Sequence, residues 1–209
     1  MSDGVRRNSP EGTMRSVRAS LLSMQREDLR VRAELVESGT LWDTYHPRME
    51  EVHLEHASRL AIILETHGWP DAGRFGDDGE EAAWLILMHS ISRPDLMRRG
   101  RELLLDAVHR GTARPDLLAR LEDRIWTLEG LPQVYGTILD WNEDGVLAPV
   151  PIEKEEAVDA RRAAVGLPLL AEHVARCREE AVAEGSAPPA DRESKSHEYQ
   201  VWLRRTGWR

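Results

Sequence analysis

Between residues 46 and 130 the chain is cut by proline and glycine into segments that each carry a helical hydrophobic period. This punctuation constrains the fold more than any other feature. In HPRMEEVHLEHASRLAIILETHGWP (46–70), Pro47 suits the first turn of a helix, where its missing amide would be unpaired anyway. Met49, Val52, Leu60, Ile63 and Leu64 recur at helical spacing, and Gly68 and Pro70 end the run. EEAAWLILMHSIS (80–92) is apolar nearly all the way round, the mark of a buried helix. Pro94 opens a further helix ended near Gly111, and Pro115 opens another ended by Gly130. Upstream, residues 14–38 predict an amphipathic helix stopped by Ser38-Gly39-Thr40.

After Gly130 the pattern changes. In QVYGTILDWNEDGVLAPVPIE (133–153), residues 134–141 and 146–152 can pair as antiparallel strands around Asn142-Glu143-Asp144-Gly145. Pro149 and Pro151 lack amide donors, so the second strand must be an edge or end early. Two more helices are expected up to Gly185. The expected fold is therefore mainly α, a helical bundle with one β-hairpin, about 133–152, packed on it. Residues 1–13 read as a disordered arm, 14–184 as a single helical domain, and 185–209 as a linker and aromatic C-terminal tail. The tail, YQVWLRRTGWR, could dock on the domain or form a homodimer contact.

Composition removes several function classes. The formal net charge of −9 comes with no basic stripe, so no nucleic-acid partner is expected. No apolar run approaches the roughly 20 residues that span a bilayer, and the N-terminal residues lack an apolar signal core. No membrane association and a cytoplasmic location follow as expectations. Cys177 is the only cysteine, which leaves no intramolecular disulfide and no cysteine-built zinc site. Only Lys154 and Lys195 could serve lysine chemistry, and no nucleophile-elbow motif is present. DAGRFGDDG (71–79) has neither dinucleotide nor calcium-loop spacing, and no cofactor is expected.

HGWP (67–70), the helix carrying His89, LEDRIWTLEGLPQVYGT (121–137), PIE (151–153) and VDARRAAVGLPLL (158–170) follow one another in a set order and spacing. Together they resemble the bacterial domain-of-unknown-function family 6624 over roughly residues 41–170. YHPRMEEVH (45–53) is similar to the N-terminal helix of one branch. The resemblance implies a small, mainly helical bacterial protein and supplies no activity. It carries the family's recurrent polar positions onto His89, Asp123, Arg124, Gln133, Tyr135, Gly136, Thr137 and Arg162. Relatives commonly have Gln before the His and after the Gly-Thr. Met88 and Ile138 stand there in this chain; if those glutamines hold a ligand in relatives, this chain binds something different or has lost an activity.

His89, in a buried helix, suits a neutral imidazole acting as general acid or base, weighed against a satisfied core histidine. Arg124, at the edge of an apolar stripe, can reach inward to a carboxylate or phosphate. Its neighbour Asp123 diverges by about 100° on the helix and would orient His89 or the hairpin backbone. Gln133, Tyr135 and Thr137 alternate, so an extended strand would place them on one face. Arg162 is taken as the inward member of the Arg161–Arg162 pair. His53 and His56 fall inside the apolar stripe of their helix. His46, Glu50 and His53 lie within about 60° of one another, and two of them with His89 would make a metal set. Without an HExxH motif or a second matching ligand helix, no metal is expected. The expected function is a small-molecule enzyme of non-redox type. It would use acid/base chemistry on an anionic metabolite in a pocket between helices and hairpin, with His89, Asp123 and Arg124 as catalytic residues. Gln133, Tyr135, Thr137, Arg162 and His53 would bind substrate. The alternative is a non-catalytic ligand-binding or protein-interaction module.

Overall fold

The computed structural model describes residues 10–41 and 45–209. Its helices are α1 (Pro10–Glu37), α2 (Pro47–His67), α3 (Ala72–Phe75), α4 (Asp77–His89), α5 (Pro94–His109), α6 (Pro115–Glu129), α7 (Val158–Ala164), α8 (Leu170–Ala183) and α9 (Arg192–Thr206). A two-stranded antiparallel hairpin, β1 (Leu139–Trp141) and β2 (Leu147–Pro149), lies between α6 and α7. The chain is mainly α with a small hairpin, as its punctuation predicts. No helix among the described residues is long and apolar enough to cross a membrane.

The all-apolar segment becomes the central helix. α4 buries Ala82, Ala83, Ile86 and Leu87, and it packs against α1, α2, α5 and α6. α1 sends Leu21 and Met24 into this centre, while Val31 and Leu35 form a second cluster with Met49 of α2. Prolines open α2, α5 and α6 as expected, and Gly68 and Gly130 follow the ends of α2 and α6. The HGWP segment closes the α2–α4 corner: Trp69 is buried and its indole N–H donates to Glu80 Oε1 at 2.9 Å. Gly100 on α5 lets that helix lie directly on α4, because a methyl group there would stand 2.4 Å from Leu87 Cδ2.

The hairpin is shorter than its sequence suggests. Only three residues pair on each side, with Leu139 opposite Pro149 and Trp141 opposite Leu147. Beyond them an isolated bridge joins Gln133 to Ile152. Residues 134–138 are not a strand, so Gln133, Tyr135 and Thr137 do not share a strand face. The expected disordered arm falls mostly on residues 1–9, outside the described residues, while residues 10–13 already belong to α1. The aromatic tail docks on its own chain. Leu203 and Trp208 enter the main core, and Trp208 Nε1 donates to the Ile91 carbonyl at 2.6 Å. Arg209 donates to the carbonyls of Thr127 and Leu128 at the end of α6, where helix carbonyls lack internal partners.

The close α4–α5 approach makes a direct prediction. Gly100→Ala overpacks a fully buried Leu87, a cost of about 1–3 kcal/mol, against about 1 kcal/mol gained in helix propensity. The net is a loss of up to about 2 kcal/mol, read as a fall of up to a few degrees in the thermal midpoint. An equal or higher midpoint would show that Leu87 yields freely.

Candidate functional site

Three helices bring one carboxylate and two imidazoles together in the interior. Asp28 on α1 is 1% exposed and occupies the position in the stripe between Met24 and Val31. His89, the last residue of α4, places Nδ1 2.9 Å from Asp28 Oδ2. His53 on α2 places Nε2 3.1 Å from the same oxygen, but too obliquely for a hydrogen bond. The two rings lie 4.8 Å apart. On its other side His53 Nδ1 is 2.7 Å from the Tyr45 hydroxyl, and Tyr45 stacks on it. The His89 side chain is 26% exposed and is the solvent-facing member.

The electrostatics follow from burial and partners. Desolvation alone would push the Asp28 carboxyl up. The close approach of His53, the hydrogen bond from His89 and the charge of both rings outweigh it and hold Asp28 well below the usual carboxylate range. Burial drives His53 down, Asp28 opposes this, and His89 and Arg124 push it down further. His53 therefore favours the neutral imidazole. Burial, with Glu50 and Asp28 nearby, raises Tyr45 and keeps it a neutral phenol. Asp28 Oδ1 is buried and has no hydrogen-bond partner among the described residues.

Tyr45 links this cluster to a cavity of about 630 Å³ between the hairpin and α9. Leu139, Trp141 and Leu147 form the hairpin wall, while Tyr199 and Trp202 form the α9 wall. Tyr45 meets Trp202 edge-on at 6.0 Å, and Tyr199 stacks on Trp202 at 5.9 Å. The rim carries Lys195 together with Asp140 and Glu198. Arg124, on α6, acts electrostatically on Tyr45, Tyr199 and His53. Its Nε is buried without a partner among the described residues, as is the indole N–H of Trp202. Burial lowers the Arg124 pKa, and the two tyrosines only partly offset this.

The remaining sequence-predicted residues gather elsewhere, under the turn that precedes the hairpin. Asp123 is fully buried and accepts hydrogen bonds from the amides of Val134, Tyr135 and Thr137 and from the Thr137 hydroxyl, at 2.7–3.2 Å. This is one of the two roles its sequence position suggests, orienting the hairpin backbone. Gln133 is 0% exposed; its amide N–H₂ donates to the Ile138 and Val150 carbonyls, and its Oε1 accepts from Ile138 N. Arg162 is the buried member of its pair, and donates to the Pro168 and Tyr135 carbonyls at 2.6 Å. Gly136 has φ 68° and is crowded by Ile152 and Leu170, which suits glycine alone. The structure thus unites His89 with His53, brings Arg124 within electrostatic reach of Tyr45 and Tyr199, and gives Asp123, Gln133, Thr137 and Arg162 hydrogen bonds that shape the backbone. Tyr135 lends its amide and carbonyl to the same network. His46 instead caps α2 by accepting from Arg48 N, and Glu50 pairs with Ser92 and Arg205.

Asp28 and Tyr45 are site residues that the sequence reading lacks, and Tyr199 and Trp202 enter it only as part of a tail expected to dock, not as a cavity wall. Asp28 had a signal. Leu21, Met24, Asp28, Val31 and Leu35 are spaced by three and four residues, so the aspartate sits in the buried stripe of α1. Cys177 on α8 is half-buried, 3.7 Å from His173 Nδ1, and burial raises its thiol, so it is no ready thiolate.

The model of the Family of unknown function (DUF6624) matches residues 15–184, and the chain belongs to that family. No curated protein and no solved structure matches the chain. Asp28, His53, His89, Asp123 and Arg124 all lie within the matched residues, whereas α9 lies beyond them.

His173 on α8 gives the turn a pH dependence. Its Nε2 faces the Thr137 carbonyl at 3.1 Å and its Nδ1 faces Arg176 Nη2 at 3.1 Å. A carbonyl on one side and a guanidinium on the other select the neutral Nε2–H tautomer. Burial lowers its pKa from 6.5, the Thr137 carbonyl opposes this, and Arg162, Arg120 and Arg176 reinforce the drop. Below about 6.5 the unfolded chain therefore binds the proton more tightly than the folded one, and stability falls as pH falls. His53 adds to the same slope. In urea unfolding followed against pH, His173→Gln should flatten part of the decline. An unchanged slope would contradict the assignment.

Proposed function

We propose that the chain is a small-molecule enzyme of non-redox type, acting by acid/base chemistry on an anionic metabolite held between the hairpin and α9. The observation that carries this reading is the His89–Asp28 pair. Nδ1–H of His89 donates to a buried carboxylate, which leaves the Nε2 lone pair on a partly exposed ring free to take a proton. Asp28 would then stabilise the imidazolium that forms, as the acid partner does in any His–Asp dyad. His53 and Tyr45 extend the polar line from this pair to the cavity wall.

The anion preference is supported by two buried donors, Trp202 in the cavity wall and Arg124 within electrostatic reach of the wall residues Tyr45 and Tyr199. Arg124 Nε and Trp202 Nε1 are buried donors without partners among the described residues. A buried donor left unpaired costs about 1–3 kcal/mol, which a carboxylate or phosphate oxygen would recover. Arg124 is suited to that contact by its planar fork. Asp123, Gln133, Thr137 and Arg162 support the site at a distance, by fixing the segment from which the hairpin springs.

A thermal-shift panel of phosphorylated and carboxylated metabolites tests the reading. A ligand at about 100 times its Kd adds about 2.7 kcal/mol, or a rise of roughly 5–10 °C for a chain of this size. At least one anion class should stabilise the wild type and lose most of that effect in Arg124→Met. A panel in which no anion acts, or in which Arg124→Met responds like the wild type, would sink the proposal. A stabilising compound left chemically intact by wild-type protein would instead favour the binding-module reading.

A further inference from the structure

We infer that Asp28, His53 and His89 together bind a divalent transition-metal ion, which names the cofactor of the proposed site and departs from the sequence expectation of no metal. The inference shares its location with the proposed function but stands on different observations.

The first is the geometry of the donors. One carboxylate oxygen and one nitrogen from each ring lie within 4.8 Å of one another, on three separate helices. An ion about 2.0–2.1 Å from each donor in a tetrahedral arrangement holds those donors about 3.3 Å apart. The observed separations from Asp28 Oδ2 are 2.9 Å to His89 Nδ1 and 3.1 Å to His53 Nε2. To admit the ion, both Asp28 distances would widen by a few tenths of an ångström, and the two ring nitrogens, within 4.8 Å of one another, would settle to the same spacing.

The second is the set of lone pairs that the protein itself does not use. Both rings crowd onto a single carboxylate oxygen, while Asp28 Oδ1 has no partner among the described residues and no access to solvent. His53 Nε2 is likewise buried and makes no hydrogen bond despite its 3.1 Å approach. Nearly every buried polar atom in a folded protein is satisfied, so two orphans on facing side chains call for a shared partner. A proton can serve only one contact at a time. A cation at the centre serves both, together with His89.

The third is the support behind the donors. A metal-bound histidine normally gives its other N–H to an oxygen, which fixes the ring and points its lone pair at the ion. The Tyr45 hydroxyl stands 2.7 Å from His53 Nδ1 in that position. Two imidazoles and a carboxylate suit zinc, iron, cobalt or manganese, whereas calcium and magnesium prefer oxygen donors alone. Three protein donors leave a coordination position open, as catalytic rather than structural sites do, and His89 is partly exposed to solvent. With the ion bound, His89 Nδ1 becomes a ligand, and activation of water passes from the imidazole to the metal.

The test uses the full chain freed of metal by chelator dialysis and titrated calorimetrically with Zn²⁺ and, separately, Co²⁺. The expected result is one equivalent bound, visible-region Co²⁺ absorption of a mixed nitrogen and oxygen site, and no displacement by excess Mg²⁺. Asp28→Asn and His53→Gln should each weaken binding at least about 100-fold, and His109→Gln, on the surface of α5, should leave it unchanged. Should either ligand variant fail to fold, Tyr45→Phe keeps every donor and should still weaken binding about 10-fold. Stoichiometric binding that survives Asp28→Asn and His53→Gln, or the absence of such binding by the wild type, overturns the inference. If Zn²⁺ does not bind while anions still raise the thermal midpoint in an Arg124-dependent way, the ion falls and the proposed pocket stands.

Discussion

Everything at the candidate site depends on a carboxylate placed where a helix needs a hydrophobic side chain. Asp28 fills a position of the α1 stripe that Leu21, Met24, Val31 and Leu35 otherwise occupy. Stripped of water, an ionised carboxylate is costly unless charged or hydrogen-bonding groups meet it. The partners it finds are His53 from α2 and His89 from α4, so its charge is answered at the junction of the three helices that build the centre of the fold. Buried polar clusters of this kind are poor sources of stability, because a well-packed apolar trio would hold the junction as well or better. The cluster is better explained by what it can bind than by what it holds together.

Asp123 shows what a buried aspartate looks like when structure is its whole task. Its two oxygens accept from three backbone amides and one hydroxyl, and the turn closes around it. Asp28 has a bare oxygen and two rings competing for the other. The same residue type, equally buried, is saturated under the hairpin and unsaturated where α1, α2 and α4 meet. The orphaned donors of Arg124 and Trp202 repeat that contrast with opposite polarity. Unused acceptors and unused donors separated by Tyr45 suit a cation and an anionic ligand side by side.

The helices were legible because prolines, glycines and a helical period are local signals, and the central place of α4 followed from its lack of a polar face. The site was legible in part. His53 and His89 stood out as histidines in apolar surroundings, and Arg124 as a cation at the edge of a stripe. Asp28 is hidden in the sequence because it is the one charged residue in an otherwise apolar stripe, although the three-and-four spacing runs straight through it. Residues 133–138 misled for a different reason. Their alternation looks like a strand, but Asp123, ten residues before Gln133, draws the amides of Val134, Tyr135 and Thr137 onto one carboxylate and bends the chain out of extension. Such a contact is a tertiary event that no local pattern announces. The cavity wall was out of reach because it joins Tyr45 to Tyr199 and Trp202 from the far end of the chain.

The most direct measurement is a crystal structure of the full chain grown with zinc, with diffraction recorded on both sides of the zinc absorption edge. The account predicts an anomalous peak enclosed by Asp28, His53 Nε2 and His89 Nδ1, about 2.0–2.2 Å from each, with Asp28 Oδ1 no longer unpartnered. An empty cluster with both rings still resting on Asp28 Oδ2, or zinc found only on surface histidines, would contradict it.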